Sequence, residues 1–285
     1  MCAAQASARI TAARERGDME REGDSAGGGG GVQSVKRALQ IMNVIADTGA
    51  PCGLSELATA TGLPIATIHR LLRTLISAGM LRQEPDRRYA LGSALIHLGD
   101  QALTMIAPLV RPHLATLVEA LGETANAARL EGTHIVYLAQ VASRHQMRMF
   151  IEVGRRVEAY RTAVGKAMLA QLDDQVIADV YANTEFVATT PTSITSLDDL
   201  LRELRAVRAN GFATDDGEQE VGVRCVAVAV PGPPGTLALS VSGPTARIND
   251  SLVAQAVPLL QQSSSVIAAA TRATHTGLPA PRSHR

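Results

Sequence analysis

Residues 54–73 read LSELATATGLPIATIHRLLR, and this stretch decides the fold of the first part of the chain. Leu54-Ser55-Glu56-Leu57-Ala58 opens a short helix with Ser55 as its expected cap. Thr61-Gly62-Leu63-Pro64 follows as a tight turn. Pro64 suits the first position of the next helix, where its missing N–H would have had no partner. That helix is expected to run to about Ala78, with Gly79 as its stop. Ile68, Leu71, Leu72, Leu75 and Ile76 recur at helical spacing on one face. Ile65, Ala66, Thr67, His69, Arg70 and Arg73 fall on the other side or at the N-terminal end. Such a division suits a helix that packs on two others and presents short and basic side chains to base edges and phosphates. From the pattern alone, an amphipathic helix with a solvated basic face reads as well.

Working outward, Ser34 is the expected cap of an earlier helix carrying Leu39, Met42, Ile45 and Ala46, ended by Gly49 and Pro51. Downstream, Met80–Gln83 and Arg88–Leu91 flank the turn-forming Glu84-Pro85-Asp86-Arg87. Three helices and a small hairpin make a winged helix-turn-helix. Arg70 has the reach for a guanine, Thr67 for a phosphate or a thymine methyl, and Arg87 and Arg88 on the hairpin for the flanking backbone.

Charge distribution agrees. The whole chain is formally neutral, but residues 32–98 hold Lys36, Arg37, Arg70, Arg73, Arg82, Arg87 and Arg88 against Asp47, Glu56, Glu84 and Asp86. A basic excess is what phosphate contact requires. At 285 residues the chain suits two domains. Apolar residues make up 46% but aromatics only 2%, which argues against the stacking platforms of single-strand binders. Three distant cysteines make no disulfide framework, and no apolar run reaches a membrane span, so a cytoplasmic protein without membrane contact is expected.

Beyond Ser93 the pattern is helical to about Leu121. Strands are expected at Thr124–Leu130, His134–Val141, Gln146–Val153, Val221–Val230 and Thr236–Val241. Helices are expected at Gly165–Leu172, Asp174–Ala182, Leu197–Ala209 and about Asn249–Thr271. This order predicts an α+β domain on an antiparallel sheet. Three clusters in it suit a small polar ligand: Thr162–Ala167, where a loop enters a helix; Asp215 with Cys225; and Ser240 with Ser242 on one side of a strand.

Ser34–Leu39, Leu54–Ala58, Thr61–Pro64, Thr67–Leu72 and Tyr89–Gly92 together resemble the DNA-binding domain of IclR-family regulators. Gly211, Asp215, Glu218, Cys225, Val226, Ala227 and Val230 fit the family's C-terminal signature, from which Pro231 and Gly232 depart. The resemblance implies a winged helix-turn-helix over 32–94, a linker helix over 95–110 and a GAF-like effector-binding domain over 111–275. Residues 1–31 and 276–285 are expected to be disordered tails. It implies DNA contacts at Arg37, Ser55, Ile65, Thr67, Arg70, Arg73 and Arg87, with Ile65 standing where a basic residue is common. It implies an effector pocket lined by Gln146, Met149, Val157, Ala163, Val164, Asp215, Val223, Cys225, Ser240 and Ser242. The partners implied are double-stranded DNA with a near-palindromic operator, a small organic acid, and further copies of the chain in a homodimer or homotetramer.

No cofactor, metal or catalytic residue is expected. Gly165-Lys166 lacks the glycine and hydroxyl of a P-loop, because Tyr160 and Ala167 stand there. No G-x-S-x-G elbow and no H-E-x-x-H occurs. The alternative function is a small-molecule enzyme fused to a DNA-binding domain.

Overall fold

The computed structural model describes residues 31–104, 107–232 and 237–276. The chain folds as two compact units, with the division between Ala102 and Leu103. The expected tails fall outside the described residues, apart from Gly31 and Thr276.

In the first unit, helices α1 (Gln33–Thr48), α2 (Leu54–Thr61) and α3 (Ile65–Ser77) precede a two-stranded wing, β1 (Leu81–Gln83) and β2 (Tyr89–Leu91). Ile41, Val44, Ile45, Leu57, Ile68, Leu72 and Leu81 close the core. The α2–α3 turn forms because Gly62 adopts φ 62° and its N–H reaches the Ala58 carbonyl, a conformation that costs glycine nothing. Cys52 pairs with Tyr89 in an isolated antiparallel bridge, so the wing is stitched to the α1–α2 loop.

Several local expectations change here. Ser34 and Ser55 lie inside their helices. Val32 and Gly53 hold the N-cap positions, and the N–H of Gly53 is taken by Glu56 Oε2 at 2.8 Å. Pro64 is likewise one residue earlier, at the cap of α3. Leu39 is 52% exposed, because the buried stripe of α1 runs through Ile41, Val44, Ile45 and Thr48. A leucine in the second turn of a helix reads as core by composition, but packing against α2 and α3 sets the phase.

Helix α4 (Ala94–Thr104) leads to α5 (Ala107–Leu121). The second unit is built on a six-stranded antiparallel sheet of β3 (Thr124–Glu131), β4 (His134–Val141), β5 (Arg156–Glu158), β6 (Ala213–Asp216), β7 (Val223–Ala229) and β8 (Ala238–Pro244). Their spatial order is β5-β4-β3-β8-β7-β6. Helices α6 (Ala163–Leu169), α7 (Asp174–Tyr181) and α8 (Leu197–Asn210) follow β5, and α9 (Asp250–Thr276) comes last. Alternation along the strands splits the core in two. Ala125, Ala127, Val226, Val228 and Val241 pack with α5 and α9. Ala128, Tyr137, Ala213 and Ala227 pack with α6, α7 and α8. The register of β3 against β4 slips between Ala127 and Ala128 and leaves Leu138 unpaired.

Gln146–Val153 is not a strand. It is an irregular loop, and the strand that pairs with β4 lies later, at Arg156–Glu158. Tertiary bonds replace the ladder: Arg247 donates to the Met147 carbonyl at 2.9 Å and Thr124 Oγ1 to the Met149 carbonyl at 3.1 Å. Strand β6 has no counterpart among the expected strands, its Asp215-Asp216 being poor strand formers.

Candidate functional site

In the first unit α3 buries Ile68, Leu72 and Leu75 and leaves Ile65, Ala66, His69, Arg70 and Arg73 exposed, with Thr67 half-buried. Arg37 from α1 joins Thr67, Arg70 and Arg73 along one open groove between α1, α3 and the start of α4. Ser55 is exposed on α2, and Arg87 is exposed at the wing tip with φ 65°. Ser55, Ile65 and Arg87 do not line that groove. None of Arg37, Arg70, Arg73 and Arg87 makes an ion pair with a described residue. Arg82 and Arg88 differ. Arg82 Nε meets Glu84 at 2.9 Å. Arg88 turns inward, donating to Glu56 Oε2 at 2.8 Å and to the Pro51 carbonyl at 2.8 Å. Glu56 thus ties Arg88 to the base of α2, and Arg87 is left as the wing-tip arginine without a carboxylate partner among the described residues.

In the second unit the pleat lays two cross-strand rows on the α6 side of the sheet. Gln140, Asn126, Ser240 and Ala227 succeed one another across β4, β3, β8 and β7. Thr124, Ser242, Cys225 and Asp215 do so across β3, β8, β7 and β6. Over these rows stands the N-terminus of α6. A Cβ on Gly165 would lie 2.0 Å from the Ala159 carbonyl oxygen, so only glycine lets α6 approach the preceding turn this closely. Thr162 caps α6 by accepting from the Gly165 N–H at 3.0 Å.

Between sheet and helix lies a narrow cavity of about 20 Å³, enough for a water or two. Met149, Ala163, Val164, Asp215, Val223, Cys225, Ser240 and Ser242 line it, all expected from the sequence. Tyr137, Ile151, Thr162, Gln219 and Glu220 line it too. Gln146 and Val157 do not. Gln146 is exposed on the loop that replaces the expected strand, and Val157 sits on edge strand β5 against the apolar core.

Electrostatically the cavity leans acidic. Burial pushes the Asp215 carboxyl up to about 6, against the backbone N–H groups of Glu218 (2.8 Å) and Gln219 (3.4 Å) that favour its ionised form. Behind it, fully buried Lys166 meets Glu218 at 2.5 Å and Glu203 at 3.1 Å. Burial raises Glu218 to about 7 even so, and its Oε2 has no partner among the described residues. Burial also raises the Cys225 thiol and the Tyr137 phenol, so both stay protonated and neutral. No group of three or more His, Cys, Asp or Glu among the described residues is arranged to hold a metal ion. No helix among them is long and apolar enough to cross a membrane.

The unit with the helix-turn-helix and the unit with the polar cavity are each matched by a family model. Residues 34–85 match the IclR helix-turn-helix domain, and residues 102–269 match the bacterial transcriptional regulator IclR C-terminal family. The chain belongs to the IclR family of transcriptional regulators. The transcriptional repressor IclR of Escherichia coli K12 is 33% identical over 233 residues, 79% of this chain and 85% of that one. The crystal structure of an IclR transcriptional regulator from Alicyclobacillus acidocaldarius superposes with a TM-score of 0.75 at 29% identity, covering 84% of this chain and 98% of its own. An IclR homologue from Microbacterium hydrocarbonoxydans, solved with 4-hydroxybenzoate, shares the fold at a TM-score of 0.71 and 19% identity, covering 85% and 100%.

Within this IclR-family architecture, sequence reading misses the groups behind the cavity wall. Asn126 is signalled as the one polar residue in Ala125-Asn126-Ala127-Ala128, a strand stretch otherwise suited to core. Lys166 stands inside a cluster already singled out, but nothing local marks a lysine as buried. Gln219 and Glu220 follow the signature residues Asp215 and Glu218 and reach the cavity only because the turn after β6 folds back over it.

Proposed function

We propose that this IclR-family regulator represses transcription by binding a near-palindromic operator as a homodimer or homotetramer, and that a small organic acid in the second unit's cavity changes its DNA affinity. The observation that carries the reading is the contrast among the first unit's arginines. Arg37, Arg70, Arg73 and Arg87 have no carboxylate partner among the described residues, whereas Arg82 and Arg88 are tied down by Glu84 and Glu56. Cations left unpaired on an exposed helix and wing are available to phosphates and base edges. Ser55, Ile65 and Thr67 supply hydroxyl and apolar contacts beside them. Repression follows the names of relatives such as the Escherichia coli IclR repressor. The protein would act where the chromosome is, without a cofactor.

The ligand class follows from the cavity. Ala163 and Val164 N–H groups and the Ser240 and Ser242 hydroxyls are donors suited to a carboxylate or oxo group. Asp215 and the Gln219 carboxamide on the other side suit a hydroxyl. An oxo, hydroxy or aromatic carboxylate satisfies both, and the 4-hydroxybenzoate of the Microbacterium homologue is of that kind. Occupancy changes operator affinity only to the extent that it favours one conformation, typically by about 1–3 kcal/mol or roughly 5–150-fold.

The test is selection of sheared source-genome DNA on the purified protein, followed by sequencing of the retained fragments. Enrichment of a few promoter-proximal palindromes is expected. The recovered operator is then titrated by fluorescence anisotropy in the presence of hydroxy- and oxo-carboxylates, 4-hydroxybenzoate first. Fragments no richer than a salt-matched control sink the DNA reading; operator affinity indifferent to every acid sinks the effector reading. Turnover of any of these acids would favour an enzyme fused to a DNA-binding unit.

A further inference from the structure

Asn126 has no exposed surface and sits in the middle of the sheet, on β3. A buried carboxamide is costly unless its hydrogen-bonding groups are matched. Here they are matched in one direction. Gln140 Nε2 donates to Asn126 Oδ1 at 3.1 Å. Asn126 Nδ2 donates to Ser240 Oγ at 3.3 Å and to Ser242 Oγ at 3.1 Å. The placement follows from register, since Gln140 and Ser240 are the direct cross-strand partners of Asn126.

The direction matters for the cavity that both serines line. A hydroxyl has one hydrogen and two acceptor sites. With an acceptor site of each serine filled by Asn126, each hydroxyl hydrogen is free to turn toward the cavity. Turned the other way, Asn126 would present its oxygen, both serines would spend their hydrogens on it, and the cavity would meet only lone pairs. The Cys225 sulfur, itself part of the cavity wall, is within hydrogen-bond reach of Ser242; as a weak acceptor it is readily displaced by an acceptor oxygen in the cavity.

We propose that Asn126 and Gln140 are positioning residues: their relay fixes Ser240 and Ser242 as hydrogen-bond donors to the cavity, so that the occupant presents an acceptor oxygen at that wall. The inference rests on the reading of the cavity as the effector site and adds to it the residues that set its polarity. Gln140 is the point to test, because it is half-exposed and holds the Oδ1 end of Asn126 through its Nε2. Gln140→Glu is nearly the same shape but can only accept when ionised. It therefore pulls Asn126 Nδ2 toward itself and turns Oδ1 to the serines. Gln140→Leu removes the anchor without adding charge.

The full-length protein, labelled with ¹⁵N at its five asparagines, reports the direction without any ligand. In the wild type, the Asn126 amide protons are expected to exchange slowly, and Ser240→Ala and Ser242→Ala should each shift them. In Gln140→Glu those two serine substitutions should no longer do so, while the thermal midpoint stays within a few degrees. Wild-type Nδ2 protons that ignore both serine substitutions overturn the relay. The functional arm uses 4-hydroxybenzoate first and then the other acids that shift the operator complex. Affinity should fall on the order of 10–100-fold in Gln140→Glu and less in Gln140→Leu. Unchanged affinity in both variants also overturns the proposal. If no acid binds the wild type, the effector reading fails and the amide spectrum still decides the relay.

Discussion

The two candidate sites of this chain handle charge in opposite ways. On α3 and its neighbours, arginines stand in water without carboxylate partners among the described residues; around the second unit's cavity, Lys166, Glu203, Glu218 and Asp215 are buried or half-buried and bound to one another. An exposed cation is cheap to keep solvated and loses little by waiting for a phosphate. A buried one must have its partner within the protein, because an uncompensated charge there is expensive. The first arrangement suits a large, highly charged partner that brings its own counter-ions. The second suits a small partner recognised by the aim of a few dipoles.

The sharpest way to break the contrast is to remove a charge from each side. Lys166→Met leaves Glu218 and Glu203 facing each other without their cation. It should cost about 3–5 kcal/mol of unfolding free energy at pH 8, read by urea denaturation. The cost should shrink at pH 6, where Glu218, held up to about 7 by burial, takes a proton. Lys166→Met with Glu218→Gln should recover part of the loss. Arg70→Ala should leave the urea curve unchanged, since Arg70 is exposed and makes no ion pair with a described residue. It should cost about 1–3 kcal/mol of operator binding and flatten the salt dependence. Stability lost in Arg70→Ala, or none lost in Lys166→Met, would mean that the two sites are not built on different terms.

A finer test uses pH. The folded Asp215 carboxyl is raised to about 6, above its ordinary value, chiefly by burial. Its protonated form is therefore the one the fold favours. That contribution is present below the ordinary carboxylate range and is lost as pH rises through about 6. Asp215→Asn keeps an acceptor for the Glu218 and Gln219 N–H groups without the charge. Its stability relative to wild type should climb from pH 4 to pH 7, by about 1–3 kcal/mol. A carboxylate ligand should likewise bind the wild type more weakly as pH rises past 6, and lose that dependence in the variant. Smallest is the wing comparison. Arg88→Ala breaks the tie to Glu56 and should cost about 0.5–1 kcal/mol of stability. Arg87→Ala should cost none and lower operator affinity only slightly.

The helix-turn-helix is legible in the sequence because its determinants are local: a turn glycine, a proline at the entry to α3, and an apolar stripe through Ile68, Leu72 and Leu75. The caps are less so, since Ser55 is an ordinary cap residue and yet the cap position belongs to Gly53. Much of the cavity is legible through the three clusters Thr162–Ala167, Asp215 with Cys225, and Ser240 with Ser242, and through the family resemblance. What escapes is non-local. Nothing near Gln140 says that it faces Asn126 across a strand pair. The unpaired Leu138 changes the alternation of β4, so Tyr137 reaches the cavity side although Ile135-Val136-Tyr137-Leu138 is apolar throughout and carries no period of two. Gln146 misleads for a related reason: the tertiary bonds to Met147 and Met149 carbonyls that turn its segment into a loop leave no trace in the segment itself.

The narrowness of the cavity bears on time. For the organic acid proposed above to enter a space with room for a water or two, Val164, Met149 and the turn over Asp215 must move apart. Association is then governed by how often the walls open, and departure by how often they open again. Apparent affinity is reduced by the fraction of molecules found open. Enlarging the space, for instance by Val164→Ala, should then quicken both steps.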